Sequence, residues 1–273
     1  IAFGTAGISG KAALSRSELL KLKSDGPGAA ILKGPNTIND IVLLQKTAGV
    51  IKAMKETGKK RVVIGYDSRI GGQQLAEMIA RLFIGQSTEN HSFKIFLFDE
   101  ANPFPELSFG ITTQAVKADY GIFISASHNP AEYNGYKITR ENGAQLNQSV
   151  KEKILDAVSR VEMSDIILAD SLVVAKEGQI VWLGGDAPLH GKNYFGFDLI
   201  DMHTLHVDQV KSFLLDKDVI KEHGRAVNIG FAAFNGAGYK AVPRLLRESG
   251  FTNYKVINKL QELDGLFPAF EEG

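Results

Sequence analysis

"YGIFISASHNPAEYNGYK", residues 120–137, joins an apolar run to a cluster of polar side chains. The run at residues 121–124 is short and continuous, as in a strand that is buried on both faces of a sheet. A strand that only built the core would end in ordinary turn residues, but here Ser127 and His128 follow almost at once. The stretch therefore predicts a buried strand that brings chemically active side chains to the edge of a sheet.

The residues after the apolar run favour the handling of an anion. Pro130 cannot continue a sheet ladder, and Asn134 with Gly135 is a strong turn signal, so we expect the chain to fold back and return Lys137 to the same edge. Ligands of open α/β proteins bind at the carboxyl ends of the strands. A lysine provides a mobile charge for phosphate, and a histidine can donate a hydrogen bond or move a proton.

A serine hydrolase is the first alternative for this segment. The nucleophile elbow of such enzymes needs Gly-x-Ser-x-Gly, whereas Ser127 is flanked by Ser125 and Asn129. His128 is the immediate neighbour of Ser127, and adjacent side chains of an extended backbone point to opposite sides. A direct general-base pair between the two is therefore not expected, and the hydrolase interpretation is rejected.

Similar segments on both sides of this stretch predict a layered fold. Short runs rich in β-branched and aromatic residues indicate buried strands, and apolar residues spaced three or four apart indicate helices between them. The predicted strands are residues 61–67, 93–100 and 120–127, and the predicted helices are residues 39–58, 71–85 and 149–162. We expect an α/β fold of layered domains with mixed, largely parallel sheets flanked by helices.

The chain after residue 162 predicts a second, less regular unit. "VVAKEGQIVWLGG", residues 173–185, favours a hairpin or a pair of edge strands, and a linker rich in Gly and Pro follows it. A helix, a strand, a turn with a helix and another strand are predicted next, at residues 207–220, 226–234, 235–251 and 254–258. We expect two domains, residues 1–187 and residues 188–273, the second of which is incomplete.

The composition is that of an ordinary soluble globular protein, with 44% hydrophobic and 23% charged residues. Lys+Arg and Asp+Glu both number 31, so no net charge attracts nucleic acid or an anionic membrane. Cysteine is absent, which excludes disulfides, thiolate chemistry and Cys-metal sites. No apolar run approaches the ~20 residues of a membrane span, and no signal peptide is visible. We expect a cytoplasmic protein with no nucleic-acid or membrane partner.

Six segments resemble the α-D-phosphohexomutase superfamily, which includes phosphoglucomutases and phosphomannomutases. "SASHNPAEYNGYK" is similar to its active-site serine segment, usually Thr-Ala-Ser-His-Asn-Pro followed by Tyr-Asn-Gly-Tyr/Phe-Lys. The others, in the family's order around it, are "FGTAGISG" (3–10), "GYDSR" (65–69), "NPFPELSFGI" (102–111), "NGAGYKAVPRLLRESGF" (235–251) and "DGLFPAFEEG" (264–273). They span nearly all of the chain, which is identified as a phosphoglucomutase-like N-terminal fragment of a member.

The resemblance implies a specific chemistry. Members interconvert hexose 1-phosphates and 6-phosphates through a phosphorylated serine, here Ser127, and a bisphosphorylated sugar that turns around in the site. His128 matches the position of a polar partner of that phosphoserine, and Lys137 matches that of a cation. Thr5 and Arg69 match phosphate-binding or supporting positions, although Thr5 could also be a cap residue and Arg69 a surface or interdomain ion pair. A hexose 1,6-bisphosphate is the implied activator.

The sequence departs from the family in two places. Ser9 stands where the opening motif normally has an arginine, and Lys11 and Arg16 lie at a different spacing. The family's Mg²⁺ loop, Asp-Gly-Asp-x-Asp-Arg, does not occur in this chain, so Ser127 would contribute to a Mg²⁺ site only through its phosphate. Members have four domains, so we expect this chain to need the missing C-terminal domains of the same polypeptide and to be inactive alone.

Several alternatives remain open. "NTINDIVLLQKTAGV", residues 36–50, resembles a helix of phosphoglucomutase-like members and favours glucose phosphate over phosphomannose, phosphoglucosamine or phosphopentose substrates. The rival function is that of a non-catalytic relative with a binding or regulatory role, which Ser9 supports. His203 and His206 are interpreted as solvated helix residues and not as metal ligands. Residues 235–238, "NGAG", are interpreted as a structural turn and not as a phosphate cradle.

Overall fold

The computed structural model describes residues 7–29, 31–185 and 198–270, and its main feature is a seven-stranded sheet. The strands are β1 (Ile8–Lys11), β2 (Arg61–Tyr66), β3 (Lys94–Phe98), β4 (Tyr120–Ile124), β5 (Tyr133–Arg140), β6 (Ile180–Gly184) and β7 (Asp198–Asp201). They lie in the order β1-β5-β4-β2-β3-β6-β7. All neighbours from β4 to β7 are parallel, and β5 runs antiparallel to both β4 and β1.

Helices cover both faces of this sheet. They are α1 (Arg16–Asp25), α2 (Asp40–Glu56), α3 (Gly72–Gly85), α4 (Phe104–Thr112), α5 (Gln148–Ser159) and α6 (Met202–Ser212). Successive strand residues point to opposite faces, so Ile95 and Leu97 join the core under α2, α3 and α5, whereas Phe96 and Phe98 join the core under α4 and α6. The predicted fold class is confirmed.

Local signals set the ends of the longest helix, α2. The side chain of Asn39 accepts a hydrogen bond from the N–H of Val42 and caps the first turn. Gly58 follows the helix with φ of 69°, the left-handed conformation that glycine adopts most readily. The helix predicted at residues 39–58 is therefore confirmed, and so are those predicted at 71–85 and 149–162.

The crossovers position one edge of the sheet for binding. The chain passes from β2 to β3 through α3 on one face, then crosses back over β2 to β4 through α4 on the other face. In register, Tyr66 of β2 lies beside Ile124 of β4, so the residues that follow these two strands meet at the same edge. Open α/β sheets bind ligands at the carboxyl ends of the two strands between which the crossover direction reverses.

Two sequence predictions for the later part of the chain are wrong. The hairpin expected at residues 173–185 is a single strand, β6, which lies between β3 and β7 and is buried along its length. Val173 and Val174 instead belong to a short 3-10 turn and are more than half exposed. The helix expected at 207–220 is interrupted, because α6 ends at Ser212 and α7 occupies Lys217–His223.

The second region contains a two-stranded parallel sheet. Its strands are β8 (Ile229–Phe231) and β9 (Tyr254–Val256), and α8 (Ala241–Ser249) connects them. The domain boundary expected between residues 187 and 188 lies outside the described residues and stays a prediction, while β7 beyond it extends the larger sheet. Within the described ranges, no helix combines the length and apolar character that crossing a membrane requires.

Candidate active site

Ser127 lies on the serine loop, residues 125–132, which connects β4 to β5. Its φ of 59° is left-handed, a conformation that a non-glycine residue adopts only when its surroundings enforce it. Its N–H donates to the hydroxyl of buried Ser125 at 3.0 Å, while Ser127 itself is exposed. The loop therefore turns the Ser127 side chain toward solvent and keeps its backbone polar group inside.

His128 lies closer to Ser127 than the sequence suggested. Its Nδ1 is 3.3 Å from Ser127 Oγ. The two side chains would point apart only on an extended backbone, and the backbone of Ser127 is left-handed. That part of the sequence analysis is wrong, although the absence of the two glycines of a nucleophile elbow still separates this loop from the serine hydrolases.

Arg69 binds the backbone of the serine loop and of the strand that follows it. It is only 4% exposed, so it is not the surface ion pair considered from the sequence. Its guanidinium donates hydrogen bonds of 2.5 to 3.0 Å to the carbonyl oxygens of Ser127, Asn129, Pro130 and Tyr133. The planar fork of donors is what allows one side chain to join so many carbonyls. Arg69 thus supports the loop, and its contact with a substrate phosphate stays a prediction.

Asp67 and Ser125 form a polar layer beneath Ser127 that the sequence analysis missed. Asp67 accepts the N–H of Arg69 at 3.0 Å, and its own N–H donates to the carbonyl of Ile124. Burial raises the pKa of Asp67, and hydrogen bonds from the Ser125 hydroxyl and the Arg69 N–H act in the opposite direction. A charged residue directly after a buried strand was the available signal, because β2 and β4 end side by side.

Lys137 lies on β5 opposite Phe123 of β4, and its ammonium is 5.4 Å from the centroid of the Phe104 ring. The side chain is half-buried. Burial lowers the pKa of Lys137, the carboxylate of Asp67 raises it, and the guanidinium of Arg69 lowers it again. The structure therefore brings Lys137 into the same electrostatic environment as Asp67 and Arg69, beneath the serine loop.

The first described residues of the chain, which form β1, pair with β5. Gly7 has φ of 109°, and a Cβ built there would be 2.2 Å from the carbonyl oxygen of Tyr136, so only glycine fits. Ser9, which replaces the family's arginine, is exposed on β1 opposite Gly135. Lys11 lies on the same strand with its ammonium 6.0 Å from the Tyr133 ring centroid, and Arg16 begins α1. Thr5 belongs to residues 1–6, which lie outside the described part of the chain.

The described residues do not fit a magnesium site on their own. Across residues 7–29, 31–185 and 198–270, no group of three or more His, Cys, Asp or Glu side chains is arranged to hold a metal ion. Asp67, the carboxylate beneath the serine loop, already accepts hydrogen bonds from Ser125 and Arg69. A phosphate on Ser127 would supply some oxygen ligands, and one or two carboxylates free to bind the ion would still be needed beside it.

His203 is not the solvated helix residue that the sequence predicted. It is 11% exposed, with Nδ1 2.5 Å from Glu106 Oε1 and Nε2 3.1 Å from Glu100 Oε1. Burial alone would lower the pKa of His203, but these two carboxylates raise it to about 10. Glu100 also binds the ammonium of Lys240, at the start of α8. The acidic partners lie about a hundred residues away in the sequence, which is why helix spacing could not reveal them.

The "NGAG" segment is a structural turn, as the sequence analysis favoured. Asn235 is 2% exposed and has φ of 61°. Its N–H donates to the carbonyl of Leu260, its Nδ2 donates to the carbonyl of Glu262, and its Oδ1 accepts the N–H of Ala269. The side chain and the N–H of Asn235 therefore bind the last described part of the chain, which supports a structural role for this turn.

Comparison with known proteins supports the resemblance. The family model for phosphoglucomutase/phosphomannomutase, alpha/beta/alpha domain I, matches residues 20–165. The phosphoglucomutase of Staphylococcus aureus strain MRSA252 is 26% identical over 263 residues, which cover 94% of this chain and 38% of that protein. The phosphoglucomutase of strain N315 is 26% identical over 264 residues. The chain thus spans well under half of the length of these curated relatives.

Solved structures show the same fold. The Paramecium phosphoglucomutase pp63/parafusin, in its open form, superposes with a TM-score of 0.65 at 16% identity, covering 96% of this chain and 44% of that protein. A phosphoglucomutase/phosphomannomutase family protein of Burkholderia thailandensis gives a TM-score of 0.58 at 15% identity, covering 97% and 45%. Because the family model covers more than half of the 273 residues, including the whole serine loop, the chain belongs to the phosphoglucomutase/phosphomannomutase family.

Proposed function

We propose that this protein interconverts hexose 1-phosphate and hexose 6-phosphate through a phosphoserine at Ser127. The observation that carries the proposal is the conformation of Ser127, whose exposed hydroxyl stands on a left-handed turn that Arg69 and Ser125 fix from inside. A rigid, backbone-supported nucleophile is what repeated phosphoryl transfer at one oxygen needs, because the reaction depends mainly on positioning and on charge stabilisation.

Each transfer exchanges one oxygen for another on phosphorus. A hydroxyl oxygen of the sugar forms a bond to the phosphorus, the bond between phosphorus and Ser127 Oγ breaks, and the proton lost by the sugar hydroxyl is matched by one gained at Ser127 Oγ. His128 Nδ1, 3.3 Å from Ser127 Oγ, is placed to pass or donate that proton. The reverse transfer at the other end of the bisphosphorylated sugar restores the phosphoserine.

Lys137 supplies positive charge in this proposal. A phosphoserine carries about −1.5 to −2 charges near neutral pH, and three equatorial oxygens share the charge during transfer. The ammonium of Lys137, held over the ring of Phe104, is available to stabilise it. Arg69 supports the loop, and Thr5 is expected to do so from the opening segment. A hexose 1,6-bisphosphate would start the cycle by phosphorylating Ser127.

Glucose phosphate is the proposed substrate. The segment at residues 36–50 resembles phosphoglucomutase-like members, and the S. aureus relatives carry the name phosphoglucomutase. Because the chain spans 38% of the MRSA252 relative, we further propose that the remaining part of the polypeptide completes the site and that residues 1–273 alone are inactive.

The test is phosphopeptide mapping of the full-length protein after incubation with labelled glucose 1,6-bisphosphate. Label is expected on Ser127 and is expected to be absent from a Ser127→Ala variant. Label on Ser125, or none within residues 125–132, would overturn the assignment, since Ser125 is buried and its hydroxyl is already engaged.

A non-catalytic relative is the second candidate, and the exposed Ser9 on β1 is the observation that favours it. Such a protein would bind a hexose phosphate without converting it. Calorimetric titration of the full-length protein with glucose 1-phosphate, together with a coupled turnover assay, separates the two. Binding without turnover and without label on Ser127 supports the non-catalytic role, whereas turnover excludes it.

A further inference from the structure

The last described part of the chain packs against the segment that carries Arg69. We define the clamp segment as residues 260–270. A Cβ built on Gly265 of this segment would lie 2.5 Å from the backbone N of Ile70 and 2.8 Å from the carbonyl oxygen of Ser68. No side chain fits there, so the two backbones are in direct contact. The clamp segment therefore contacts the loop after β2 so closely that neither backbone can shift without displacing the other.

Phe267 of the clamp segment covers the guanidinium of Arg69. The Cζ atom of Arg69 lies 5.1 Å from the centroid of the Phe267 ring, a cation–π distance. The same guanidinium donates to the carbonyls of the serine loop, including that of Ser127. Phe267 itself has φ of 50°, which costs energy for a residue other than glycine. The ring of Phe267 and the carbonyl of Ser127, two residues with a left-handed φ, thus contact the same guanidinium.

The turn at residues 234–236 anchors the clamp segment at both ends. The backbone and side chain of Asn235 bind Leu260 and Glu262 near its start, and the side chain also binds Ala269 near its end. Asn235 is left-handed and almost fully buried. The described part of the family landmark at residues 264–273 therefore connects the second region to the serine loop through Phe267 and Arg69.

We propose that Phe267 is a positioning residue whose ring keeps the Arg69 guanidinium on the serine-loop carbonyls and so holds Ser127 in its left-handed conformation. The ring excludes water from one face of the guanidinium, and water is the competitor for the hydrogen bonds that Arg69 gives to the loop. The catalytic part of this inference rests on the proposed role of Ser127, and the structural part does not.

Matched variants of the full-length protein test the link. Phe267→Leu keeps apolar bulk and has no β-branch to add strain, but it removes the aromatic face. Phe267→Tyr keeps that face. Phe270→Leu is the control, because Phe270 belongs to the same segment but is 68% exposed, and its ring stacks on that of Phe234, 5.5 Å between centroids, and not on Arg69.

Two readouts are measured, amide hydrogen exchange of peptides covering residues 125–135 and the kinetic constants for glucose 1-phosphate. Phe267→Leu is expected to raise exchange about fivefold. It is expected to lower kcat about tenfold with KM within about twofold, because a displaced nucleophile weakens the transition state more than binding. Phe267→Tyr and Phe270→Leu are expected to match the wild type.

The outcomes for these variants decide whether Phe267 positions the serine loop. Unchanged exchange in Phe267→Leu, or an equal change in Phe270→Leu, would overturn the inference. In an Arg69→Lys background Phe267→Leu is expected to have no further effect, and full additivity would also overturn it. A wild type without turnover, combined with faster loop exchange in Phe267→Leu, would reject the proposed function and still support the structural link.

Discussion

The seven-stranded sheet and the two-stranded sheet both contain apolar strands, but the strands differ in how deeply they are buried. Every residue of β4 is buried, whereas no residue of β8 or β9 is. The strands of the larger sheet are more buried because helices cover both of its faces. Large apolar side chains near the smaller one, such as Ile257 and Val227, are 45% exposed. The first region therefore builds the support of the serine loop, and the clamp segment of the second region contacts the segment that carries Arg69.

The largest effect is expected when residues 1–273 are separated from the rest of the polypeptide. We expect no measurable turnover of glucose 1-phosphate by this chain, even with Mg²⁺ and glucose 1,6-bisphosphate present. The described residues contain no cluster of three metal-ligating side chains, and the sugar's second phosphate has no proposed partner in them. A coupled assay with the full-length protein as the positive control makes the measurement. Turnover by the shorter chain would show that the rest of the polypeptide is dispensable.

The next largest effect is expected from Lys137→Ala in the full-length protein, which we predict to lower turnover by about 10²- to 10³-fold. The control is Lys59→Ala, because Lys59 also holds its ammonium over a ring, that of Tyr120 at 4.4 Å, and makes an ion pair of 3.5 Å with Glu141. Both variants are expected to melt near the wild-type temperature. Equal losses of turnover in the two would mean that the effect of Lys137 is not local to the serine loop.

The sequence revealed the parts of the fold that depend on local patterns. The buried strand at residues 120–124 and the capped helix from Asp40 to Glu56 follow from runs and spacings of neighbouring residues. β6 was misread because Val173 and Val174 resemble a strand, and only packing between β3 and β7 decides which apolar run joins the sheet. Burial of a strand is a property of its neighbours in space, which a local pattern does not contain.

The same limit applies to the candidate site. The motif around Ser127 was visible, but its φ of 59°, with which His128 Nδ1 lies 3.3 Å from Ser127 Oγ, was not. The hydrogen bonds from Arg69 to the loop, which cross about 60 residues of sequence, were not visible either. The contacts of His203 with Glu100 and Glu106 also join distant parts of the chain. Residue types and spacing predicted the candidate site residues around Ser127. The backbone conformation of Ser127 and the contacts between distant parts of the chain were visible only in the structure.

The difference in burial between the two sheets predicts different costs for removing a side chain from each. Ile122 of β4 is fully buried, whereas Ile229 of β8 is only partly buried. Ile122→Ala is expected to lower the free energy of unfolding by about 2–5 kcal/mol, and Ile229→Ala by less than ~1 kcal/mol, because the cost scales with the cavity left behind. Urea titration of both variants gives the two numbers. Equal costs would mean that β8 is as well packed as β4.

The smallest effect concerns the junction between the regions, where His203 and His206 lie one turn apart on α6. The carboxylates of Glu100 and Glu106 raise the pKa of His203 to about 10, above its ordinary value of 6.5. Its stabilising effect is therefore complete below pH 6.5 and is lost as the pH rises toward 10. Burial lowers the pKa of His206, so its protonation destabilises the fold below pH 6.5. Lys240 stays charged across this range, because its contact with Glu100 raises its pKa despite burial.

We therefore expect opposite pH trends from His203→Gln and His206→Gln. The melting temperature of the wild type should exceed that of His203→Gln by roughly 3–6 °C at pH 6 and by progressively less up to pH 10. Relative to His206→Gln, the wild type should gain stability as the pH rises to 6.5 and then level off. Thermal melts in matched buffers at constant ionic strength measure both trends. A gap between wild type and His203→Gln that stays constant from pH 6 to 10 would show that the ion pairs of His203 with Glu100 and Glu106 do not stabilise the junction.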